Sequence, residues 1–458
     1  MKKIAYIYLV VGALFLNSCE HEIQTFNNNP NGPTSASAPS LLTGAEVGTI
    51  NNSVGNLTRT FTIFTQHTNG NQLQSLDFTN YFLTELDNEG DWSNIYQAGV
   101  NANQIVNTYE STSPYYGGIA RVILALNMGY ATDAWGDVPF SQAFGGANGI
   151  IAPKYDAQQN VISQIQSYLD AAIIDLSKPV SSNIAIPGTD DIFYGGNTSK
   201  WIKLAYGVKA RYAMRLTQRD GSTVAAQNAL NYLQNSLTSK ADNLVATFDG
   251  GNNQNTWYAF NNQRANYMGM GKYFIDLLNT SSDPRLPYYA TLDPSNAYSG
   301  AAPESPDTSG STSQFGDYFA GTAGTPLNIF SYSEIKFIEA EARFRLGSNP
   351  LAQAALQSAV SASLVDVTGS DNVAFATSAA STVTLQNIIK QKYVALFTTF
   401  EPYNDWRRTG YPVLTPNQSS QSQTNKIPLR LITPKSERTL NNNATVVGDF
   451  YAPVWWDN

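Results

Sequence analysis

The sequence predicts a mostly α protein in which helix pairs are packed with long irregular loops and there is little β structure. Three observations carry that prediction. Apolar residues recur at spacings of three and four over many stretches, most clearly 331–346 and 385–400, and so gather on one helical face. Clusters of Gly, Pro and Asn separate those stretches. The segments 68–91, 248–270 and 287–330 show no helical period, and segments of that length are functional or disordered. Their Trp, Tyr and Phe content argues against disorder.

In chain order, 39–67 reads as the first helix of the body, with Ser40 as its cap and Leu41, Leu42, Ala45, Val47 and Ile50 along it. A second helix runs from 91 to about 109, and a third from about 116 to 134. Gly136 ends the third in a left-handed conformation, and Pro139 prevents its continuation. There Trp135 reads as a core anchor and Asp137 as a cap or ion-pair partner. A fourth helix spans 155–176. Ser199 caps a fifth, 200–216, with Trp201, Leu204, Ala205, Val208 and Tyr212 on one face. Its Lys203, Lys209, Arg211 and Arg215 are expected to meet solvent or structural carboxylates rather than to line a groove. The stretch 221–237 is its antiparallel partner.

After a short helix at 272–278, Asp283-Pro284-Arg285-Leu286 reads as a turn stapled by an Asp–Arg pair. The helix at 331–346 carries the stripe Tyr332, Ile335, Ile338 and Ala342. Glu334, Glu339 and Glu341 are expected to form exposed salt bridges with Lys336, Arg343 and Arg345. With 350–360 it makes a small-residue hairpin that looks tetratricopeptide-like. In 385–400 the face is Leu385, Ile388, Ile389, Tyr393, Leu396, Phe397 and Phe400, and Pro402 is read as the stop. The following Tyr403–Gly410 run holds Trp406, Arg407 and Arg408 near Glu401 and Asp405. It is expected to be an ion-pair cluster, its Arg neutralised by those two acids, that pins a long loop to the core.

Composition narrows the function classes. Of 458 residues only 14% are charged and 42% are hydrophobic, a polar but uncharged surface suited to neutral ligands. A net charge of −8 argues against nucleic acid as partner. A single Cys allows no intrachain disulfide, and His21 and His67 are too few for a Cys/His zinc site. Neither His sits in a nucleophile motif. No cofactor and no metal site are predicted.

Met1-Lys2-Lys3 is a basic start, and 4–16 is an apolar run too short to span a membrane comfortably. Leu16-Asn17-Ser18-Cys19 resembles a bacterial lipoprotein processing site, with Asn17 departing from the usual small or apolar residue. The resemblance implies a signal peptide at 1–18, a lipidated Cys19 and a tail and linker at 19–38, ahead of a single helical body at 39–458.

The stretch QKYVALF followed by E-x-Y-N-D-W-R-R-T-G-Y-P, between Gln391 and Pro412, resembles the C-terminal signature of the SusD/RagB family in its SusD-like branch. The D-x-W-G-D-V-P-F run from Asp133 to Phe140, the helix 200–216, Asp283 to Leu286, the 331–360 hairpin and the closing IPLRLITPKSERTLNNNA and VWWDN segments resemble it too. The resemblance implies a tetratricopeptide-like helical scaffold for long loops. It implies a lipoprotein anchored to the outer membrane and facing the cell exterior, with Glu20-His21-Glu22 similar to a surface-export signal. It implies capture of a ligand, without catalysis, for a SusC-like TonB-dependent transporter. The three long loops match no motif of the family, although the first lies in the region where family members commonly place ligand contacts.

Those loops, with Trp92 at the start of the second helix, supply the candidate ligand residues: Asn71, Gln72, Tyr81, Trp92, Asn253, Trp257, Tyr258, Tyr267 and Tyr318. Aromatic faces stack on sugar rings, and Asn and Gln both donate to and accept from hydroxyls. For each residue a packing role stands beside the functional one. An oligosaccharide is the first expectation, and a peptide the alternative. A helical glycoside hydrolase would draw on acids such as Asp87, Glu89 and Asp91, which could also hold calcium but lack the rest of an EF-hand loop. A structural or adhesive surface protein would leave the ligand-type loops without a purpose.

Overall fold

The structure is a computed structural model that describes residues 36–458. The expected signal peptide, Cys19 and most of the linker lie outside the described residues. Helices dominate, and two small antiparallel ribbons are the named sheets.

The first half is a stack of long helices. Helix α1 (Ala38–Val54) is capped by Ser37 rather than Ser40, its hydroxyl accepting from Ser40 N at 3.3 Å. A Cβ on Gly55 would lie 2.1 Å from the Asn51 carbonyl oxygen, and the helix breaks there. Helix α2 (Asn56–Phe64) continues beyond the break. Strand β1 (Thr68–Gly70) and α3 (Leu73–Thr79) follow inside a segment expected to be loop. Helices α4 (Glu89–Tyr109), α5 (Pro114–Trp135) and α6 (Gln158–Leu176) then pack in series, with α1 against α4 and α5. Gly136 takes φ +83°, and Asp137 caps the next helix by accepting from Gln158 N at 2.8 Å.

Helix α7 (Thr198–Arg215) is capped by Asn197 instead of Ser199 and pairs with α8 (Ser222–Leu233). Strand β2 (Leu244–Ala246) leads to α9 (Thr256–Gln263), a helix inside the second expected loop. Asn255 makes it possible, because its side chain accepts from Trp257 N and Tyr258 N. Strand β3 (Met268–Met270) pairs with β1, Thr68 opposite Met270. Helices α10 (Lys272–Thr280), α11 (Leu286–Tyr289) and α12 (Asp317–Ala320) precede β4 (Leu327–Phe330), which pairs with β2. Arg285 grips Asp283 at 2.6 and 2.9 Å in full burial, the staple that the motif predicts.

Helix α13 (Tyr332–Arg345) and α14 (Asn349–Thr368) form the tetratricopeptide-like pair, and α14 runs past 360 to a left-handed Gly369. Helix α15 (Val373–Ala379) leads to α16 (Leu385–Ala395), which stops short of 400. Pro402 starts α17 (Glu401–Thr409) instead of ending its predecessor; at the first turn its missing N–H costs nothing. Helix α18 (Lys435–Leu440) precedes the last turn, Trp455–Asp457. The largest core gathers Phe61, Phe64, Trp201, Trp257, Phe274 and Tyr393; smaller ones lie under α13–α16 and between α7, α8 and α13.

A buried charge cluster joins the two halves, and it differs from the expectation. Arg211 is bidentate on Glu334 at 2.7 and 2.8 Å, and Arg215 bridges Glu401 at 2.7 Å and Asp133 at 3.1 Å. Arg408 pairs with Glu341 at 2.5 Å and with Asp405 at 2.8 Å, and Lys392 reaches Asp405 at 2.8 Å. Glu334 and Glu341 are thus interior, not exposed, although Glu341 keeps its expected helical partner Arg345 at 2.7 Å and Glu339 keeps Lys336 and Arg343. Arg407 has no carboxylate at ion-pair distance among the described residues. It donates to the carbonyls of Leu429 (2.7 Å) and Asp133 (2.8 Å) and lies over the rings of Tyr403 and Trp456. Glu401 therefore serves α7, and a guanidinium stacked between rings replaces the ion pair expected of Arg407.

Candidate functional site

Helix α4 opens with Glu89 and Asp91, which suit a helix N-terminus. Asp91 accepts from Asn56 and Asn88 at 2.8 and 2.9 Å, and Glu89 accepts from Ser436 N at 3.2 Å. The first turn of α4 is thereby fixed to that of α18. One turn apart on the same face stand Trp92 and Tyr96, with ring centroids 4.9 Å apart. The irregular run after Trp135 forms the opposite wall. Asp156 holds it by accepting from Phe140 N and Ser141 N at 2.8 and 2.7 Å, and Val138 bridges back to Asp156.

Between these walls lies an open cleft of about 350 Å³, lined by Trp92, Ser93, Tyr96, Gln97, Pro139 and Glu437 among others. Tyr155 stacks near-parallel on Trp92 at 6.2 Å and 18°, while Trp135 meets it edge-on at 5.2 Å. Tyr96 Oη donates to Pro139 O at 2.8 Å, and Tyr155 Oη donates to Glu437 Oε2 at 3.1 Å. Burial pushes both phenols up, and the Glu437 carboxylate adds to it, so both stay protonated donors. Ser93 and Gln97 are exposed at the mouth. The cleft offers ring edges, prolines, two serine hydroxyls, an amide and one carboxylate, with no cation. That lining suits a polyhydroxy ring, and a single acid does not make a hydrolytic pair.

The other acids once available for catalysis or calcium are occupied. Asp87 accepts from Thr84 N at 2.5 Å, and Glu89 and Asp91 hold the helix start. Among the described residues no group of three or more His, Cys, Asp or Glu is placed to hold a metal. His67 is sealed in the core between Tyr393 and Phe397; burial lowers its pKa to about 3, and its Nε2 bonds Tyr393 O at 2.9 Å. It has no route to a substrate.

The candidate residues do not converge. Trp92 alone of them lines the cleft, 5% exposed. Asn71, Gln72 and Tyr267 come together elsewhere: Asn71 N and Gln72 N donate to Tyr267 O, and Asn71 Oδ1 accepts from Asp307 N at 3.1 Å. Asn71 is buried, so it ties three loops together instead of facing a ligand. Gln72 and Tyr267 remain half-buried, as does Tyr258 on α9. Trp257 is fully buried, edge-on to Phe315, Phe319 and Phe397, because α9 turns it inward. Tyr81 is buried with its Oη accepting from Asn417 N at 3.0 Å. Tyr318 turns its ring edge to Tyr289 at 5.5 Å, and Asn253 closes a turn on Asp249 at 2.9 Å. For Asn71, Tyr81 and Trp257 the ligand role gives way to packing.

Tyr96, Gln97, Tyr155 and Glu437 escaped the sequence reading. The Trp92–Tyr96 spacing is a signal that could have found Tyr96; nothing local marks Glu437, which arrives from far along the chain. A larger groove, about 620 Å³, lies over α14 by Tyr332, Gln357, Val365 and Asp366, but it offers one aromatic residue and no stacked set.

A family model for SusD-like proteins, described as starch-binding and associating with the outer membrane, matches residues 30–434. No curated protein matches the chain. Among solved structures, a SusD/RagB family protein from Bacteroides thetaiotaomicron is 26% identical, with 93% of this chain and 99% of that one covered at a TM-score of 0.77. A chitin-binding protein is 25% identical, covering 92% and 100%, also at 0.77. A chitin-binding SusD homolog from Flavobacterium johnsoniae shares the fold at 20% identity, 91% and 98% coverage and a TM-score of 0.77.

Proposed function

Because the chain belongs to the SusD-like family, we propose that it is a cell-surface lipoprotein, held by Cys19, that captures oligosaccharides and hands them to a SusC-like TonB-dependent transporter in the outer membrane. The family's description ties its members to starch and to the outer membrane, and a structural neighbour at 25% identity is a chitin-binding protein. Binding rather than catalysis fits a cleft with a single carboxylate.

The observation that carries the reading is the aromatic wall of Trp92 and Tyr96, backed by Tyr155, beside Gln97 and Ser93. It offers an apolar edge for one face of a sugar and neutral hydrogen-bonding groups for its hydroxyls. Neutral glucose- or N-acetylglucosamine-based oligosaccharides suit it better than acidic ones, since Glu437 would repel a carboxylate.

Calorimetric titration of the protein against starch-derived, chitin-derived and acidic oligosaccharides and peptide mixtures tests this, with products assayed in the same tubes. One neutral series should bind without turnover. Trp92→Ala or Gln97→Ala should weaken that binding about tenfold, near 1.4 kcal/mol. Turnover would replace the reading with a hydrolase, and binding of peptides alone would change the ligand class. Binding lost on Tyr267→Ala but kept by Gln97→Ala would move the site to the Gln72–Tyr267 patch.

A further inference from the structure

The segment joining α6 to α7 carries a row of bare apolar side chains. Val180 is 59%, Ile184 84% and Ile186 50% exposed, and Ile174 on the last turn of α6 is 64% exposed. Single exposed apolar residues are ordinary; a group in one place marks a contact surface. The segment is braced, not loose. Ile184 N donates to Thr112 O at 2.8 Å, Ala185 N to Ser113 Oγ at 3.0 Å, and Tyr115 N to Asn183 Oδ1 at 2.9 Å. The turn between α4 and α5 thus holds the isoleucines outward.

The same corner receives the beginning of the described chain. Tyr109 Oη donates to Ala36 O at 2.8 Å, and Thr43 on α1 donates to Asp190 O at 2.9 Å, just beyond the apolar row. Whatever precedes Ala36 joins the body here. Cys19 stands seventeen residues earlier, a chain that reaches at most about 60 Å. The nearby cations are matched by acids, Lys178 with Asp175 at 2.7 Å and Arg121 with Glu110 at 2.5 Å, and Asp190 accepts from the Tyr116 hydroxyl at 2.8 Å. The corner therefore offers apolar contact rather than electrostatic attraction.

We propose that this corner rests on the lipid surface: Val180, Ile184 and Ile186 sit in the headgroup–acyl boundary of the membrane that holds Cys19. The proposal rests on the lipid-anchor reading of Cys19. A flexible tether fixes only a point, and a second, apolar contact fixes which way the body faces.

The test uses the full chain with Ser182→Cys, labelled with an environment-sensitive dye and reconstituted in protein-free phosphatidylethanolamine–phosphatidylglycerol vesicles. Val224→Cys on α8 is the comparison. Intact mass shows whether Cys19 bears lipid; if it does, the introduced thiol is the free one. The expected result is a lipidated Cys19, blue-shifted emission at position 182, and quenching by spin-labelled lipid several-fold stronger than at 224. Adding V180S/I184S/I186S should abolish both signals with the melting temperature unchanged. Lipidated Cys19 with equal quenching at both positions overturns the contact and leaves the anchor. An unlipidated Cys19 overturns both. A blue shift that needs an added outer-membrane barrel protein assigns the corner to that partner and overturns the lipid contact.

Discussion

Arg408 shows what a single side chain does here. Its guanidinium is the counter-charge to two buried carboxylates, Glu341 and Asp405. Arg408→Met should cost about 3–5 kcal/mol in urea denaturation, since it strands both acids without their main partner. Burial opposes the ionisation of Glu341, yet Arg408 and Arg345 hold its pKa at about 2. A carboxyl held low stabilises fully above its ordinary value of 4.5, and that stabilisation drains as the pH falls toward about 2. Melting temperature should fall across that acid window. Glu46 is the opposite case: burial, then the neighbouring Asp191, push it up to about 10. The folded state keeps a proton that the unfolded chain gives up above about 4.5, so this group's contribution is lost as the pH rises toward about 10. Glu46→Gln should raise the melting temperature at alkaline pH and change little near pH 4. Parallel pH profiles for the two proteins would contradict the assignment. Part of this was legible locally: the Arg408–Asp405 and Arg345–Glu341 pairs each lie within one helix. Glu341 and Glu334 nevertheless looked like surface charges, because Arg408 and Arg211 reach them from other helices.

Among the helices, legibility followed the completeness of the apolar period. The stripes of α5, α6, α7 and α13 repeat over several turns, and those helices stand where the pattern puts them. Helices α3, α9 and α12 have eight residues or fewer, too short for a period to show, and read as loop. Caps slipped by two or three residues because Ser37 and Asn197 stand as close to the helices as Ser40 and Ser199 do. Helix contacts also hide in glycines. A Cβ on Gly129 would come 2.0 Å from Tyr212 Oη, so α5 and α7 approach through a hole that only glycine leaves. Gly129→Ala should therefore destabilise by about 1–3 kcal/mol in thermal melts, although alanine is the better helix former. A neutral or stabilising result would show that Tyr212 swings aside freely.

At the scale of the molecule, the net charge of −8 is less informative than where the charges sit. The strongest pairs are interior, beyond the reach of mobile ions, while pairs such as Lys272–Asp276 are exposed. The melting temperature should hardly move between about 0.01 and about 1 M salt; a steep dependence would mean that the surface pairs matter more. The overall architecture was legible because helix periods and turn residues are local. The cleft was not, because it is assembled from residues near 92, 139, 155 and 437 that no spacing connects. The buried charge cluster shares that long reach, from Asp133 to Arg408, and so has a consequence for how the chain is made. A ribosome delivers Arg211 and Arg215 long before Glu334 and Glu401 exist to complete their pairing. Until then the young chain carries charges that cannot be shut inside, which keeps its middle open to proteases and chaperones. A premature stop before Glu401 would thus yield material for degradation rather than a shorter working protein, so arrival of the C-terminal segment is the moment at which the molecule passes inspection.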